Sequence, residues 1–516
     1  MSCSTLELND YKIESMTTWL SLLALCPFLV FMVLLLSKKA SLLNTAIITL
    51  CLVTLAMIFG WQILPNYLLY SFIKGFWVAF DIFIIIFGAI FFLEVLEKEK
   101  IIDNLISLLE GLSKDYRVKI IILAWFLESF LEGTTGFGAP LVIVAPLLVG
   151  LGLSPMTAVV ICLLGNSTSN LFGAVGAPIR IGFAGLNTSL IPRHAASLNL
   201  VGLIVPTFML WVLSGQHQDR QKYFWEALPF ALWSGFAFVV PSLLITNLGQ
   251  EFPSILGAAV GLSLVILTIR LKIFVPKKIR TLKEEQRLIA TLPIGKVVFP
   301  YLLLISFLIL GKIWLGAKGI DFLIGGEIKH RFSCFNPGFA FILAGALVVY
   351  LEKKQKQIIF QSLSTALKRT LEPFSVIVCL SAVVQLMTYS NYNYSGLPSV
   401  LNLLAKNFET PLLPFWSPFI GAFGSFLTGS ITISNLMFGN FLNLASNAIK
   451  LDANKILALE AVGAAAGNML ALADMLVVET IVGLKHQERE ILKAVVLPCL
   501  IYILLVGLLG ILTGKF

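Results

Sequence analysis

Five ionisable side chains stand inside long apolar stretches, where charge is costly and is a functional candidate by default. They are Glu128, Glu132, Arg180, Asp474 and Glu479. Glu128 and Glu132 lie four residues apart and so share one face of a helix. A carboxyl group kept from water can hold a proton, which is what a proton-coupled carrier needs, and Glu128, Glu132 and Asp474 are the candidates for that work. The guanidinium of Arg180 has the fork geometry to clamp both oxygens of a carboxylate. It could equally balance Glu132 or Asp474, or anchor a helix end at the interface. Asp81 opens an apolar run and belongs near an interface.

The same carboxylates border two polar, broken blocks. The first reads Phe130-Leu-Glu-Gly-Thr-Thr-Gly-Phe-Gly-Ala-Pro140, then Gly165-Asn-Ser-Thr-Ser-Asn-Leu-Phe-Gly173 and Gly176-Ala-Pro-Ile-Arg180. The second reads Gly424-Ser-Phe-Leu-Thr-Gly-Ser-Ile-Thr-Ile-Ser-Asn435, then Gly467-Asn-Met469. Each opens on Phe-Leu-x-Gly, and a Gly-Asn follows about 32–38 residues later. Irregular backbone is tolerated at membrane depth only where protein buries it or water reaches it. Paired interruptions in corresponding positions are the best sequence pointer to the binding site of a secondary transporter. A helix that stops mid-membrane presents unpaired N–H groups and partial positive charge, which an anion can complete. The substrate candidates are Gly133, Thr134, Thr135, Gly136, Asn166, Ser167, Thr168 and Arg180 in the first half. In the second half they are Gly429, Ser430, Thr432, Ser434, Asn435 and Asn468. Close helix packing is the competing reading for any single small-residue motif, but two matched blocks with hydroxyl and amide clusters favour a site.

The elements that must position these residues follow from composition. Of 516 residues, 58% are hydrophobic and 13% charged, against about 45–50% and about 25% in soluble domains. Such a chain lacks the polar surface of a soluble fold, so soluble, disordered and disulfide-scaffold classes are excluded. The apolar content caps the helices at roughly 15 of about 20 residues. An all-α polytopic membrane protein with about 12–14 helical segments is expected, forming one domain over 1–516, with the broken blocks at 118–183 and 414–483. Spans read near Thr18–Leu36, Ser41–Gly60, Phe76–Leu96, Val118–Leu131, Leu198–Leu213, Phe224–Leu244, Ile255–Ile273, Val297–Leu315, Phe335–Leu351, Pro373–Thr388 and Ile491–Leu512. Glu97–Lys119 mixes both signs with apolar spacing and reads as an amphipathic surface helix. The polar segment 1–17 lacks the basic start and cleavage site of a signal peptide.

The net charge of +9 resides in loops and sets topology rather than binding nucleic acid. The strongly basic loops Arg270–Arg287 and Lys353–Arg369 share a side, the cytoplasmic one. Asn247–Ser254 faces outward. Lys312–Arg331 must also face outward, although it carries Lys312, Lys318, Lys329 and Arg331. The seven cysteines (Cys3, Cys26, Cys51, Cys162, Cys334, Cys379 and Cys499) and four histidines have no ligand spacing, so neither a metal nor another cofactor is implied. No nucleophile–base pair or phosphate loop marks an enzyme.

On these residues the chain resembles the L-lactate permease family, the bacterial lactate/glycolate proton symporters. The matching stretches are Phe130–Pro140, Leu148-Val-Gly-Leu-Gly152, Leu171-Phe-Gly-Ala174 with Gly176 and Pro178-Ile179, and Gly421–Asn435 with Phe438-Gly439. The resemblance implies two inverted-repeat halves, each with a broken or re-entrant helix, in an elevator-type carrier. It implies secondary active transport of a small monocarboxylate, most of all lactate, by proton symport across the plasma membrane. The alternative is another organic anion with different ion coupling, or an exchanger. The partners are then a small organic anion, a proton and membrane lipid, with a homodimer compatible. The chain departs from the family pattern at Gly429-Ser-Ile-Thr432, where Gly-Ser-Asp-Thr is usual, and at Gly467-Asn-Met469, where Gly-Lys-Met is usual. Asn166-Ser-Thr-Ser169 stands for Asn-Thr-Ala-Pro, and Glu128 and Arg180 are additional.

Overall fold

The computed structural model describes residues 26–34 apart from 28 and 32, then 40–136, 138–186, 189–215, 217–281, 291–316, 318–351 and 356–512. Most of the span expected near Thr18–Leu36, the segment 1–17, Phe137, Lys283, Arg287, Lys353 and Lys354 lie outside the described residues.

Helices α1 (Leu42–Leu55) and α2 (Pro65–Lys98) are followed by short α3 (Ile101–Glu110) and α4 (Tyr116–Ile121). A π turn, Ile122–Leu127, carries α4 into α5 (Glu128–Thr134). Then come α6 (Ala139–Gly150), α7 (Pro155–Ser169), α8 (Gly173–Gly182), α9 (Ile191–Leu198), α10 (Val205–Ser214), α11 (Arg220–Ile245), α12 (Pro253–Arg270) and α13 (Ile294–Leu315). Strands β1 (Gly319–Ile324) and β2 (Ile328–Ser333) precede α14 (Pro337–Leu351), α15 (Lys356–Thr388), α16 (Val400–Lys406), α17 (Leu413–Thr428), α18 (Ile431–Ala448), α19 (Ala453–Gly467), α20 (Leu472–Ile481) and α21 (Glu488–Leu512).

Among the described residues, ten helical stretches are long and apolar enough to cross a bilayer, and Ala139–Gly150 and Pro337–Leu351 are shorter apolar helices. Caps fix where several helices start: the Ser154 side chain accepts from Thr157 N ahead of α7, and that of Asp452 accepts from Asn454 N ahead of α19. Pro155 sits at the first position of α7, where its missing N–H costs nothing. Small residues let helices approach closely. A Cβ on Gly88 of α2 would overlap Gly338 of α14, and one on Gly75 would overlap the backbone of α15 at Ala382.

Two features differ from the sequence expectation. The outward stretch Lys312–Arg331 is not simply a loop. Residues 319–333 form an antiparallel hairpin with Gly319 opposite Ser333 and Ile324 opposite Ile328. Its turn is made by Gly325 and Gly326, both with positive φ (62° and 81°), a conformation open to glycine. Phe322 packs on Trp77 of α2, ring centroids 5.1 Å apart. Among the described residues the hairpin is the one sheet in a mostly helical chain, and helical periodicity over long apolar runs gave no sight of it.

The second is the clasp behind the amphipathic segment. Glu97–Lys119 holds α3, whose Ile101, Ile102, Ile106 and Leu109 are buried. Beyond it Arg117 is fully buried. Its Nε and Nη2 donate to the two Asp115 oxygens at 3.1 and 2.9 Å, and its Nη1 donates to Glu226 Oε2 at 3.0 Å. Nη2 also donates to Lys278 O at 2.9 Å. One guanidinium thus ties the start of α4 to α11 and to the loop after α12.

The order of elements repeats. Helix α5, a break, α6, α7, a 3-10 turn (Asn170–Phe172) and α8 are matched by α17, a break, α18, α19, a 3-10 turn (Asn468–Leu470) and α20.

Candidate functional site

Both breaks are real. The chain leaves α5 at Thr135, turns through Gly136 and Gly138 with φ of 60° and 74°, and re-enters a helix at Ala139. It leaves α17 at Thr428, turns at Gly429 (φ 67°) and re-enters at Ile431, where the Ser430 hydroxyl accepts from Ile433 N. A third break lies at the start of α8, where Ala174, Val175 and Gly176 all have positive φ. For the β-branched Val175 (φ 52°) this is a strained conformation, of the kind held only where surroundings dictate it.

These breaks converge. A Cβ on Gly138, at the first tip, would stand 3.4 Å from Asp474 Oδ1, and one on Gly429, at the second tip, 2.9 Å from Ala473 Cβ. Both tips, with the starts of α8 and α20, line one cavity of about 470 Å³. The N-terminal ends of α6, α18 and α20 border it at Gly138, Ile431 and Ala473 and bring partial positive charge to it, while the C-terminal ends of α5 and α17 reach it at Gly136 and Thr428 with the opposite sign.

Three carboxylates line the cavity, Glu132, Asp474 and, at its rim, Glu372, and each of the first two is held by an asparagine. Asn166 Nδ2 donates to Glu132 Oε2 at 3.0 Å, and Asn468 Nδ2 donates to Asp474 Oδ2 at 3.0 Å. Asn468 Oδ1 in turn accepts from the Ser425 hydroxyl at 3.1 Å. At the rim stand the exposed Arg369 and Glu372, and Arg369 pairs with Glu94 at 2.7 Å.

Of the sequence candidates, Gly136, Asn166, Gly429, Ser430, Thr432, Asn468, Glu132 and Asp474 line this cavity. The others are placed elsewhere. Gly133 packs on Ile255 of α12. The hydroxyls of Thr134 and Thr135 both donate to Leu131 O, at 2.9 and 2.8 Å, and that of Ser167 donates to Leu164 O at 2.6 Å. Thr168 is buried and its carbonyl accepts from Asn199 Nδ2 at 3.0 Å. Asn435 donates to Pro178 O at 2.9 Å. Glu128 is fully buried, and neither carboxyl oxygen has a hydrogen-bond partner among the described residues. Glu479 is buried at the far end of α20, where its Oε1 accepts from Gln487 N at 3.0 Å.

Arg180 is the clearest departure. It faces a second cavity, of about 510 Å³, while Pro178 lines the first. Its partner is Glu251, at 3.6 Å, rather than Glu132 or Asp474. It also donates to Phe335 O and lies over the Phe335 ring, 5.4 Å from the centroid.

Sequence reasoning missed Glu460. It is fully buried on α19. The Ser434 hydroxyl lies 3.0 Å from Gly421 O and 3.1 Å from Glu460 Oε1. A hydroxyl has one hydrogen, so both bonds form together only when the Glu460 carboxyl supplies the second. The signal was present: Glu460 stands in an apolar run as Glu132 does.

The family model for L-lactate permease matches residues 20–317 and 328–515. The chain is 28% identical to an L-lactate permease of Escherichia coli strain K12, over 95% of each chain. It is 29% identical to an L-lactate permease of Salmonella typhi, over 85% of each. It is 26% identical to the glycolate permease GlcA of Escherichia coli strain K12, again over 95% of each. The kinship is that of a permease rather than an enzyme. With ten helical stretches among the described residues long and apolar enough to cross a bilayer, the chain is a multi-pass plasma-membrane protein, and it belongs to the L-lactate permease family.

Proposed function

We propose that this protein is a secondary active transporter of a small 2-hydroxymonocarboxylate, lactate above all, taken up with protons. The observation that carries the reading is the shared cavity: both chain breaks, three helix N-terminal ends and two asparagine-held carboxylates meet in one space. The helix ends and the Ser430 and Thr432 hydroxyls suit a carboxylate and an adjacent hydroxyl. Two carboxylates beside a third, the cargo's, would repel it. Protons on Glu132 and Asp474 remove that repulsion, so cargo and protons bind together. Arg369 at the rim adds the one positive side chain among the described lining residues.

The repeated order of elements supports two inverted-repeat halves in blocks 118–183 and 414–483, with elevator-type movement presenting the site to either side. On the topology assigned from loop charge, the Arg369–Glu372 rim faces the cytoplasm.

Uptake of radiolabelled L-lactate into proteoliposomes tests this. An inward proton gradient drives accumulation by the wild-type protein. Glu132→Gln and Asp474→Asn lose gradient-driven accumulation yet keep exchange of internal for external lactate. Gradient-independent uptake, or variants that accumulate normally, would overturn the proton assignment.

A second reading has its own support. Ile431 and Asn468 stand where the family pattern places an acidic and a basic residue, and Asn468 here holds Asp474. That altered charge set suits another organic anion, different ion coupling or exchange. Replacing sodium with choline during uptake separates the two.

A further inference from the structure

The second cavity lies on the other side of α8, beneath the hairpin. Its lining includes Lys74, Arg180, Lys329 and Arg331, and Asp81 as its one carboxylate among the described residues. The neighbouring acids do not cancel this charge. Asp321 lies 3.0 Å from Lys329 and 4.0 Å from Arg331, and Glu251 lies 3.6 Å from Arg180 and 2.5 Å from Lys312. Five bases therefore face three acids. The Lys74 ammonium donates to a carbonyl, Lys329 O, at 2.6 Å. An ammonium has three hydrogens, so donors remain for a ligand. The Arg180 guanidinium likewise has more N–H groups than its partners use.

This charge is on the wrong side for topology. Lys and Arg accumulate on cytoplasmic loops, yet the hairpin is outward by the assignment that places both basic loops inside. A reason other than orientation must hold these bases there. Position offers one. Helix α2 runs from Lys74 and Asp81 in this cavity to Glu94, the partner of Arg369 at the rim of the other, about 30 Å from Lys74 and about 20 Å from Asp81 at 1.5 Å per residue. Helix α15 lines both cavities, the central one at Val376 and Ile377 and this one at Gln385 and Thr388, with the turn of α8 from Pro178 to Arg180 between them.

We propose that the outer cavity is an anion antechamber, in which a small carboxylate is held between the Lys74 ammonium and the Arg180 guanidinium before it reaches the central cavity. The proposal rests on the carrier reading and adds a second binding position for the same class of cargo. Positive potential in a cleft raises the local concentration of an anion, and salt screens the effect.

The test is initial-rate L-lactate uptake by cells expressing the full chain, over a range of external lactate. Lys74→Gln raises the half-saturation concentration at least threefold with maximal rate per transporter unchanged, and Lys74→Arg restores it. Raising external ionic strength at constant osmolarity raises the half-saturation concentration of the wild-type protein more than that of Lys74→Gln. A half-saturation concentration indifferent to both Lys74 and salt, with wild-type uptake intact, overturns the antechamber alone. A fall in maximal rate only, with Lys74→Arg equally impaired, assigns Lys74 a structural role and also overturns it. Absence of lactate uptake by the wild-type protein removes the cargo reading, and this proposal with it.

Discussion

Pro178 and Arg180 stand two residues apart on one helical turn and line different cavities. The partition between the two spaces is therefore one turn of α8, and its hold on the second half is specific. Asn435 donates to Pro178 O at 2.9 Å, and a Cβ on Gly182 would overlap the Asn435 side chain. Gly182→Val should abolish uptake while protein still reaches the membrane. Asn435→Ala should cost about 1 kcal/mol of stability, read as a lowered unfolding temperature in detergent.

The second tip turns at Gly429 with φ of 67°, and an added Cβ there meets Ala473 at 2.9 Å. Gly429→Ala should cost about 1–2 kcal/mol from the left-handed backbone alone. The first tip offers a control of the same conformation in freer space. Gly138→Ala (φ 74°, Cβ 3.4 Å from Asp474 Oδ1) should cost the backbone term with less crowding. Thermal unfolding of the two variants, side by side, checks the ranking.

Arg117 is a structural clasp. Asp115 beside it is 2% exposed, so Arg117→Ala strands a buried carboxylate. A loss of about 3–5 kcal/mol is expected. Arg117→Lys should not rescue it, because one ammonium cannot reproduce a bidentate fork. Expression level and unfolding temperature report both.

The hairpin should respond to pH. Burial, and then the positive charge of Lys74, push the His330 imidazole down to about 4 from its ordinary 6.5. Below pH 6.5 the unfolded hairpin takes up a proton that the folded one refuses. Stability is thus intact above about 6.5 and falls as pH drops from there toward about 4. Hydrogen exchange of the β1 and β2 amides, followed from pH 7 to pH 5 with intrinsic rates corrected, should show protection declining. His330→Gln should flatten that trend.

Much of this was legible in the sequence, and the exceptions have physical reasons. Apolar runs located most spans within a few residues: Ser41–Gly60 became Leu42–Trp61, and Ile491–Leu512 became Glu488–Leu512. Starts were lost where polar residues extend a helix beyond the bilayer core, as at Lys356 of α15, expected only from Pro373. The blocks were legible because glycine, hydroxyl and amide residues rarely interrupt apolar runs by chance. Which members face the cavity was not. Thr134 and Thr135 end α5 and their hydroxyls donate back to Leu131 O, whereas Ser430 caps the start of α18 at the cavity, a difference set by which end of a helix each residue occupies. The neighbours of Arg180 were illegible because Glu251 and Phe335 are distant in sequence. Arg369 read as loop charge, since nothing local reveals that α15 brings it to a cavity rim.

Glu251 is 3% exposed and serves two bases from different elements, Arg180 on α8 and Lys312 on α13. Losing that acid would leave two positive charges facing each other with nothing between them. The three positions should therefore drift together over descent. Relatives without an acid at 251 are expected to carry at most one base at 180 and 312.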